Sequence, residues 1–158
     1  KLDKYLPNNA NVVSSDLSRA IETASAIQNT RNRLANAFNL REFNFGDWDG
    51  KNWKDISNAY PELSRAYWSN PGDIAPPNGE SLKDTLERVI PYYTANIEPK
   101  LKENKTIIIS AHGNSLRALI MHLEGLSSEE ILKREIPTGQ PYLYELNAEL
   151  KITKSEYL

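Results

Sequence analysis

The sequence contains no cysteine and no apolar run that approaches the length of a membrane span. Without cysteine the chain can form no disulfide, no thiolate nucleophile and no cysteine-ligated metal site. A spanning helix needs about 18 consecutive apolar residues, so no membrane partner is expected for these residues. A composition without cysteine fits a cytoplasmic protein.

An excess of charge of one sign is also missing, since 19 basic and 21 acidic residues give a net charge of −2. No surplus of positive charge is available to attract nucleic acid, so no nucleic-acid partner is expected either. The length of 158 residues fits one domain, and 39% hydrophobic residues are typical of a globular chain. The sequence leaves open whether that domain forms a homo-oligomer.

Short apolar strands alternate with amphipathic helices along the chain. A strand is predicted over Ala10–Ser14, and Ser15 or Asp16 is placed to cap the helix that follows. A second strand, Thr106–Ser110, has the continuous apolar character of a strand buried in a parallel sheet. Ser115 is predicted to cap the helix after it, over residues 116–123. The alternation predicts an α/β sandwich with a mostly parallel sheet.

The other segments are predicted to be mainly helical. They comprise the helices Lys54–Tyr60, Pro61–Ser69 and Ser81–Lys102, a short helix begun by the Ser127–Glu130 capping box, and the terminal strands Tyr142–Leu146 and Leu150–Lys154. Pro91 and Pro99 lie within the long helix and should kink or break it. The glycine- and aromatic-rich segment Leu40–Trp53 is interpreted as a surface loop.

His112 lies between the buried strand and the next helix, at the edge where open parallel sheets bind ligands. The free N–H groups at the start of that helix can hold an anion. Gly113 lets the backbone approach a ligand closely, and Asn114 can donate an amide hydrogen bond. The segment is therefore a candidate anion site. The alternative is an ordinary turn that contains a histidine.

Two other segments carry candidate residues. Arg19 is predicted in the first turn of the first helix, where its guanidinium could bind two phosphate oxygens. An exposed arginine on an amphipathic helix is the alternative. Glu42 is an acid beside aromatic residues and is a candidate general acid, although most loop glutamates are only solvated.

The remaining histidine and the tryptophans are interpreted as structural. His122 reads as an ordinary helix residue, and two well-separated histidines predict no metal site. An aromatic group is interpreted as core or pocket lining because no basic stripe accompanies it. It consists of Trp48, Trp53, Tyr67 and Trp68.

Together these segments resemble the histidine phosphatase superfamily and, more narrowly, the 2,3-bisphosphoglycerate-dependent phosphoglycerate mutases. The resemblance covers nearly the whole chain in order: SSDLSRAIETA, LREFNFGDWDG, GESLKDTLERVIPYY, IIISAHGNSLRALI and EEILKREIPTGQP. It implies a three-layer α/β/α sandwich with a mostly parallel sheet. It also implies phosphoryl transfer through a phosphohistidine.

The resemblance implies a role for each candidate residue. His112 would neighbour the phosphorylated histidine and stabilise the phosphoryl group during transfer, and Arg19 would bind the phosphate. Glu42 would act as general acid and base on the substrate oxygen, while Gly113 and Asn114 would contact substrate. The substrate would be a small phosphorylated metabolite. In a mutase, 2,3-bisphosphoglycerate would donate the priming phosphate, and no metal would be needed.

The Arg-His-Gly motif that carries the phosphorylated histidine in this family is missing from the sequence. The resemblance begins just before the family's second strand, so the first strand and first helix are expected to be absent. We therefore expect a single domain, 1–158, that is N-terminally incomplete and has two unpaired strand edges. A catalytically inactive fragment with a binding or scaffold role is an alternative.

The residues after Glu42 bear on the choice between two reactions. Mutases have Arg and, two residues further, Tyr where this sequence has Phe43 and Phe45. Fewer cations weaken the case for a multiply charged phosphoglycerate, and the FGDWDG segment is closer to α-ribazole-type phosphatases. The longer matches in the C-terminal half favour a glycolytic isomerase that interconverts 2- and 3-phosphoglycerate. A phosphomonoesterase, which is a hydrolase, is the alternative.

Overall fold

The computed structural model describes residues 4–28 and 31–158, which form two small sheets with helices around them. The strands are β1 (Asn11–Ser14), β2 (Asn32–Arg33), β3 (Ile107–Ser110), β4 (Tyr142–Leu146) and β5 (Ile152–Tyr157). The helices are α1 (Ser18–Gln28), α2 (Trp53–Ala59), α3 (Pro61–Ser69), α4 (Leu82–Tyr92), α5 (Glu98–Lys102), α6 (Gly113–Glu124) and α7 (Ser128–Leu132). None of the helices in these two ranges is long and apolar enough to cross a bilayer.

The three-stranded sheet is parallel throughout, in the order β2-β1-β3. β1 and β3 are in register, with Ser14 opposite Ser110. Both strands therefore end at the same edge of the sheet, where the chain turns into α1 after β1 and into α6 after β3. The predicted parallel sheet is confirmed, and its carboxyl edge gathers the two loops that carry candidate residues.

Helices cover both faces of this sheet. Val13 of β1 belongs to a buried cluster with Val89 of α4 and with residues of α6. Ser110, at the end of β3, donates its hydroxyl to the carbonyl of Ala20 in α1 at 3.0 Å. Side chains alternate between faces along a strand, and Val13 pairs with Ile109, so Ser110 lies on the opposite face. The three-layer α/β/α sandwich is confirmed.

β4 and β5, in the region of the two predicted terminal strands, form a separate antiparallel ribbon. Tyr144 of β4 and Arg134 both donate to the carboxylate of Glu124 at the end of α6, which ties the ribbon to that helix. Within the described part of the chain, β1 pairs with β3 along one edge and no strand pairs with the other edge of β3. In this part of the chain, no strand pairing therefore links the parallel sheet to the ribbon.

The long predicted helix is broken, as its prolines required. α4 ends just after Pro91, a π-helical turn follows over Tyr93–Ile97, and Pro99 lies in the first turn of α5. Proline has no N–H to donate and its ring crowds the carbonyl one turn earlier, so regular α-helical bonding cannot continue through it.

The predicted start of α6 was wrong by one turn. His112, rather than Ser115, is the N-cap, and the helix begins at Gly113 rather than at Leu116. The hydroxyl of Ser115 accepts a hydrogen bond from the backbone N–H of His112 and also lies 3.2 Å from its carbonyl. Ser115 thus reinforces the cap from inside the helix, and His112 lies at the helix terminus itself.

Other boundaries shifted by smaller amounts. α1 begins at Ser18, because the hydroxyl of Ser15 accepts from the N–H of Leu17 before the helix starts. β5 runs over Ile152–Tyr157, and β2 was not predicted. A two-residue strand has no sequence periodicity, and β2 exists through its pairing with β1.

Candidate active site

His112 lies at the carboxyl edge of the parallel sheet and is buried, with 7% of its surface exposed. Its Nε2 lies 2.6 Å from Oγ of Ser15, which directly follows β1. Its Nδ1 accepts a 3.2 Å hydrogen bond from Nε of Arg19, in the first turn of α1. The parallel register of β1 and β3 brings these residues together, because it places the two loops side by side.

The two contacts determine which ring nitrogen of His112 carries the proton. The Nε of an arginine can only donate, so Nδ1 must be the unprotonated nitrogen. The proton therefore lies on Nε2, which donates to Ser15. Burial lowers the pKa of His112, the positive charges of Arg19 and Arg88 lower it further, and the Glu42 carboxylate opposes them. The imidazole is thus a neutral hydrogen-bond donor.

Glu42 is held against the start of α6. Its Oε1 accepts the backbone N–H of Asn114 at 3.1 Å and that of Phe43 at 2.8 Å. Asn114 lies in the first turn of α6, so the carboxylate faces the positive end of the helix dipole. Oε2 accepts no hydrogen bond from residues 4–28 or 31–158 and is available to exchange a proton with a bound molecule.

Gly113 and Asn114 follow His112 at the carboxyl edge of the parallel sheet, in the first turn of α6. A Cβ at position 113 would lie 3.3 Å from Nη1 of Arg117, which is a tight approach, and at an ordinary contact distance of 3.7 Å from Oε2 of Glu42. The Oδ1 of Asn114 accepts a hydrogen bond from Nη1 of Arg117 at 3.3 Å. That contact leaves the amide N–H groups of Asn114 to donate elsewhere.

Arg19 and Glu42 both line a cavity of about 690 Å³, which is called the main cavity below. The terminal nitrogens of Arg19 have no hydrogen-bond partner in the described part of the chain. His112 does not line this cavity, but it is hydrogen-bonded to Arg19, which does. The main cavity therefore combines a guanidinium that can bind an anion with a carboxylate that can transfer a proton.

The other arginines of the main cavity are neutralised by carboxylates. Arg41 makes two hydrogen bonds to Asp16, at 2.7 and 2.8 Å, and these lower the pKa of Asp16. Arg88 makes two to Glu80, at 2.7 and 3.0 Å, and also donates to the carbonyl of Glu42. Paired guanidinium groups attract a further anion less strongly, so Arg19 is the arginine of the main cavity that is best placed to bind one.

The structure brings together the five residues selected from the sequence: Arg19, Glu42, His112, Gly113 and Asn114. Their chemical roles stay predictions. Sequence reasoning missed the contact of Ser15 with His112 and the support that Arg88 gives to Glu42. Ser15 was read only as a helix cap, because its partner is 97 residues away and only the strand register brings the two together.

His122 and three of the four aromatic residues are placed as predicted, whereas Trp68, predicted to be core or pocket lining, is 59% exposed. His122 lies on α6, with its ring 5.6 Å from that of Tyr93 in an edge-to-face arrangement. Trp48 is buried, and both Trp48 and Trp53 line a small cavity. Across residues 4–28 and 31–158, no three His, Asp or Glu side chains gather in a group that could hold a metal ion.

Comparison with known families shows which family this chain belongs to. The model of the histidine phosphatase superfamily (branch 1) matches residues 2–153. The chain belongs to the histidine phosphatase superfamily. The resemblance identified from the sequence segments is therefore confirmed.

Curated relatives of this histidine phosphatase domain are named as mutases. A phosphoglycerate mutase of Schizosaccharomyces pombe is 47% identical over 119 residues, which cover 75% of this chain and 56% of the relative. A 2,3-bisphosphoglycerate-dependent phosphoglycerate mutase of Bartonella henselae is 44% identical over 144 residues, which cover 89% of this chain and 70% of the relative. The chain thus spans between about half and about two thirds of these relatives.

Solved structures share the fold of this histidine phosphatase domain. YhfR of Bacillus stearothermophilus has a TM-score of 0.80 at 24% identity, covering 96% of this chain and 73% of that one. An alpha-ribazole phosphatase of Shigella flexneri has a TM-score of 0.66 at 22% identity, covering 89% and 71%. At these identities the comparison establishes the fold and not the reaction.

Proposed function

We propose that this domain transfers phosphoryl groups through a phosphohistidine and interconverts 2- and 3-phosphoglycerate. The observation that carries the proposal is the meeting of Arg19, His112 and Glu42 at one sheet edge. A dianionic phosphoryl group needs a cation, a hydrogen-bond donor and an acid for the leaving oxygen, and this edge supplies all three. The mutase reaction is supported by the names of curated relatives at 44–47% identity.

In the proposed reaction each residue acts at a defined atom. The terminal nitrogens of Arg19 bind two phosphoryl oxygens, and the Nε2–H of His112 turns from Ser15 to a third oxygen. The nucleophilic histidine forms a P–N bond while the P–O bond of the substrate breaks. Oε2 of Glu42, then protonated, gives its proton to the departing oxygen. For a mutase, 2,3-bisphosphoglycerate would supply the priming phosphate.

The nucleophile itself is not assigned to this chain. Its histidines are His112, which is bonded to Ser15 and Arg19, and His122, which packs on Tyr93. We propose that an Arg-His-Gly segment outside this sequence supplies the phosphorylated histidine, which makes the domain N-terminally incomplete. The intact mass of the purified protein tests this point. A mass of 17.9 kDa, that of the sequence, would favour the inactive alternative.

A specific observation favours a second candidate, a phosphomonoesterase that acts on small phosphate esters. Arg41 and Arg88 are paired with carboxylates, and Phe43 and Phe45 form part of the wall of the main cavity. Such a cavity offers little positive charge to the carboxylate of a phosphoglycerate. A phosphatase would need only the phosphate-binding group and water.

One assay separates the candidates. The protein is incubated with 3-phosphoglycerate and catalytic 2,3-bisphosphoglycerate, and both 2-phosphoglycerate and free phosphate are measured. A mutase forms 2-phosphoglycerate with little phosphate release, whereas a phosphatase releases phosphate from several esters without the bisphosphate. If the protein does neither, both proposals fail and the inactive alternative stands.

A further inference from the structure

A smaller cavity of about 230 Å³, called the aromatic cavity here, adjoins the main cavity. The two cavities share Phe45 and Asp49 in their walls. A molecule whose phosphate is bound by Arg19 could therefore extend its other end past Phe45. The wall of the aromatic cavity is completed by Trp48, Gly50, Lys51, Trp53 and Ile56.

The rings that form this wall are held in place by other rings. Trp53 lies nearly parallel to Tyr67, with centroids 6.1 Å apart and an interplanar angle of 26°. Its ring is also 4.6 Å from that of Trp68 and meets Trp48 edge-to-face at 6.0 Å. Trp53 is nevertheless 41% exposed. A fixed and partly exposed indole is a preorganised surface for another flat ring.

A buried polar group of the same wall lacks a partner. Trp48 is 2% exposed, and its Nε1 has no hydrogen-bond partner in the described part of the chain. That nitrogen has less than 1 Å² of accessible surface, so Trp48 contributes its ring, and not its N–H, to the wall of the aromatic cavity.

We propose that the aromatic cavity is a substrate subsite for a flat aromatic group. This inference rests on the phosphomonoesterase form of the proposed function and names its substrate class as aryl phosphate esters. Arg19 binds the phosphate, and the aryl group packs on Trp53. The substrate class follows from the neutralised arginines of the main cavity together with the aromatic walls of its neighbour.

The test compares two phosphate esters by calorimetric titration. The probes are 4-nitrophenyl phosphate, which has an aromatic ring, and methyl phosphate, which has none. The unphosphorylated probe 4-nitrophenol is titrated as well. The variant is Trp53→Ala, and Tyr5→Ala is the matched control, because Tyr5 is also an exposed aromatic residue but lines neither cavity.

In the wild type, 4-nitrophenyl phosphate should bind about tenfold more tightly than methyl phosphate. Trp53→Ala should reduce that ratio to less than about threefold, and Tyr5→Ala should leave it unchanged. Equal binding of the two esters, or a ratio that survives Trp53→Ala, would overturn the inference while leaving the phosphate site intact.

The remaining outcomes separate the subsite from the phosphate site. If neither ester binds but 4-nitrophenol binds and loses affinity in Trp53→Ala, the aromatic cavity is a ligand site and the proposed phosphoryl transfer fails. If none of the three probes binds, the subsite is overturned together with the proposed function.

Discussion

Arg19 donates its Nε–H to Nδ1 of His112 across 3.2 Å, although the two residues are 93 positions apart in the chain. This single contact has two consequences. It places the ring proton of His112 on Nε2, and it aligns the guanidinium of Arg19 while leaving its terminal nitrogens for an anion. The orientation of the Arg19 guanidinium and the position of the ring proton of His112 therefore depend on the same contact.

Replacing either partner of this pair should impair phosphoryl transfer. Because Arg19 is proposed to bind the transferred group, Arg19→Gln should lower kcat/KM about 100-fold. His112→Ala should lower it about 1000-fold, since it removes the Nε2 donor and the partner of Arg19. Steady-state kinetics on the intact protein measure both. Arg65→Gln, an exposed arginine of α3, is the control. A loss below about tenfold for His112→Ala would mean that His112 is structural.

The pKa of His112 should be measurable below its ordinary value of 6.5, because burial and the charge of Arg19 disfavour the imidazolium. NMR titration of the 158-residue chain with His122→Gln, in which His112 is the one remaining histidine, reports it directly. Adding Arg19→Gln should raise the midpoint towards 6.5 because it removes a positive charge. A titration midpoint at or above 6.5 for His112 in the His122→Gln variant would contradict its buried, positively charged environment.

The same pKa shift predicts the pH dependence of stability. The folded state binds a proton at His112 less readily than the unfolded state does. The stabilising contribution is therefore fully present above the unfolded value of about 6.5 and is lost as the pH falls through the folded pKa. Urea unfolding across this range should show a free energy of unfolding that decreases towards acid pH. His112→Gln should weaken that dependence.

Glu42→Gln should slow transfer from poor leaving groups more than from activated ones. A glutamine cannot protonate the departing oxygen, and an alkyl phosphate needs that proton far more than 4-nitrophenyl phosphate does. The rate with the alkyl ester should fall about 100-fold, and that with the aryl ester about tenfold or less. Equal slowing of both would argue against Glu42 as the acid.

Removing the carboxylate that ties the ribbon to α6 should destabilise the fold. Glu124 is 20% exposed and accepts hydrogen bonds from both Arg134 and Tyr144. Burial and the hydrogen bond to Glu124 raise the pKa of Tyr144. Glu124→Ala leaves both donors unpaired, so the free energy of unfolding should fall by about 1–3 kcal/mol. Urea denaturation measures it.

The control for Glu124→Ala is the exposed pair between Glu129 and Lys133. Both side chains are more than two-thirds exposed. Lys133→Ala should therefore change the free energy of unfolding by no more than about 0.5 kcal/mol. A similar loss in the two variants would show that the contact with Glu124 is no more important than a solvent-exposed ion pair.

Local patterns in the sequence were sufficient for several elements of the fold. Thr106–Ser110 is continuously apolar, which predicted the buried strand β3, and Pro91 predicted the end of α4. Short-range patterns did not predict the elements and boundaries that tertiary contacts determine. The two residues of β2 form a strand only because β1 lies beside them, and α6 begins a turn earlier than its serine cap indicated.

By itself, the sequence determined the α/β class, the family and the residue types that could handle a phosphoryl group, because these depend on order and local spacing along the chain. The tertiary structure alone decided that Ser15 and Arg19 occupy the two nitrogens of His112, and that Asp16 and Glu80 neutralise Arg41 and Arg88. The register of parallel strands and the packing of loops bring distant residues within hydrogen-bonding distance, and no local pattern encodes that approach.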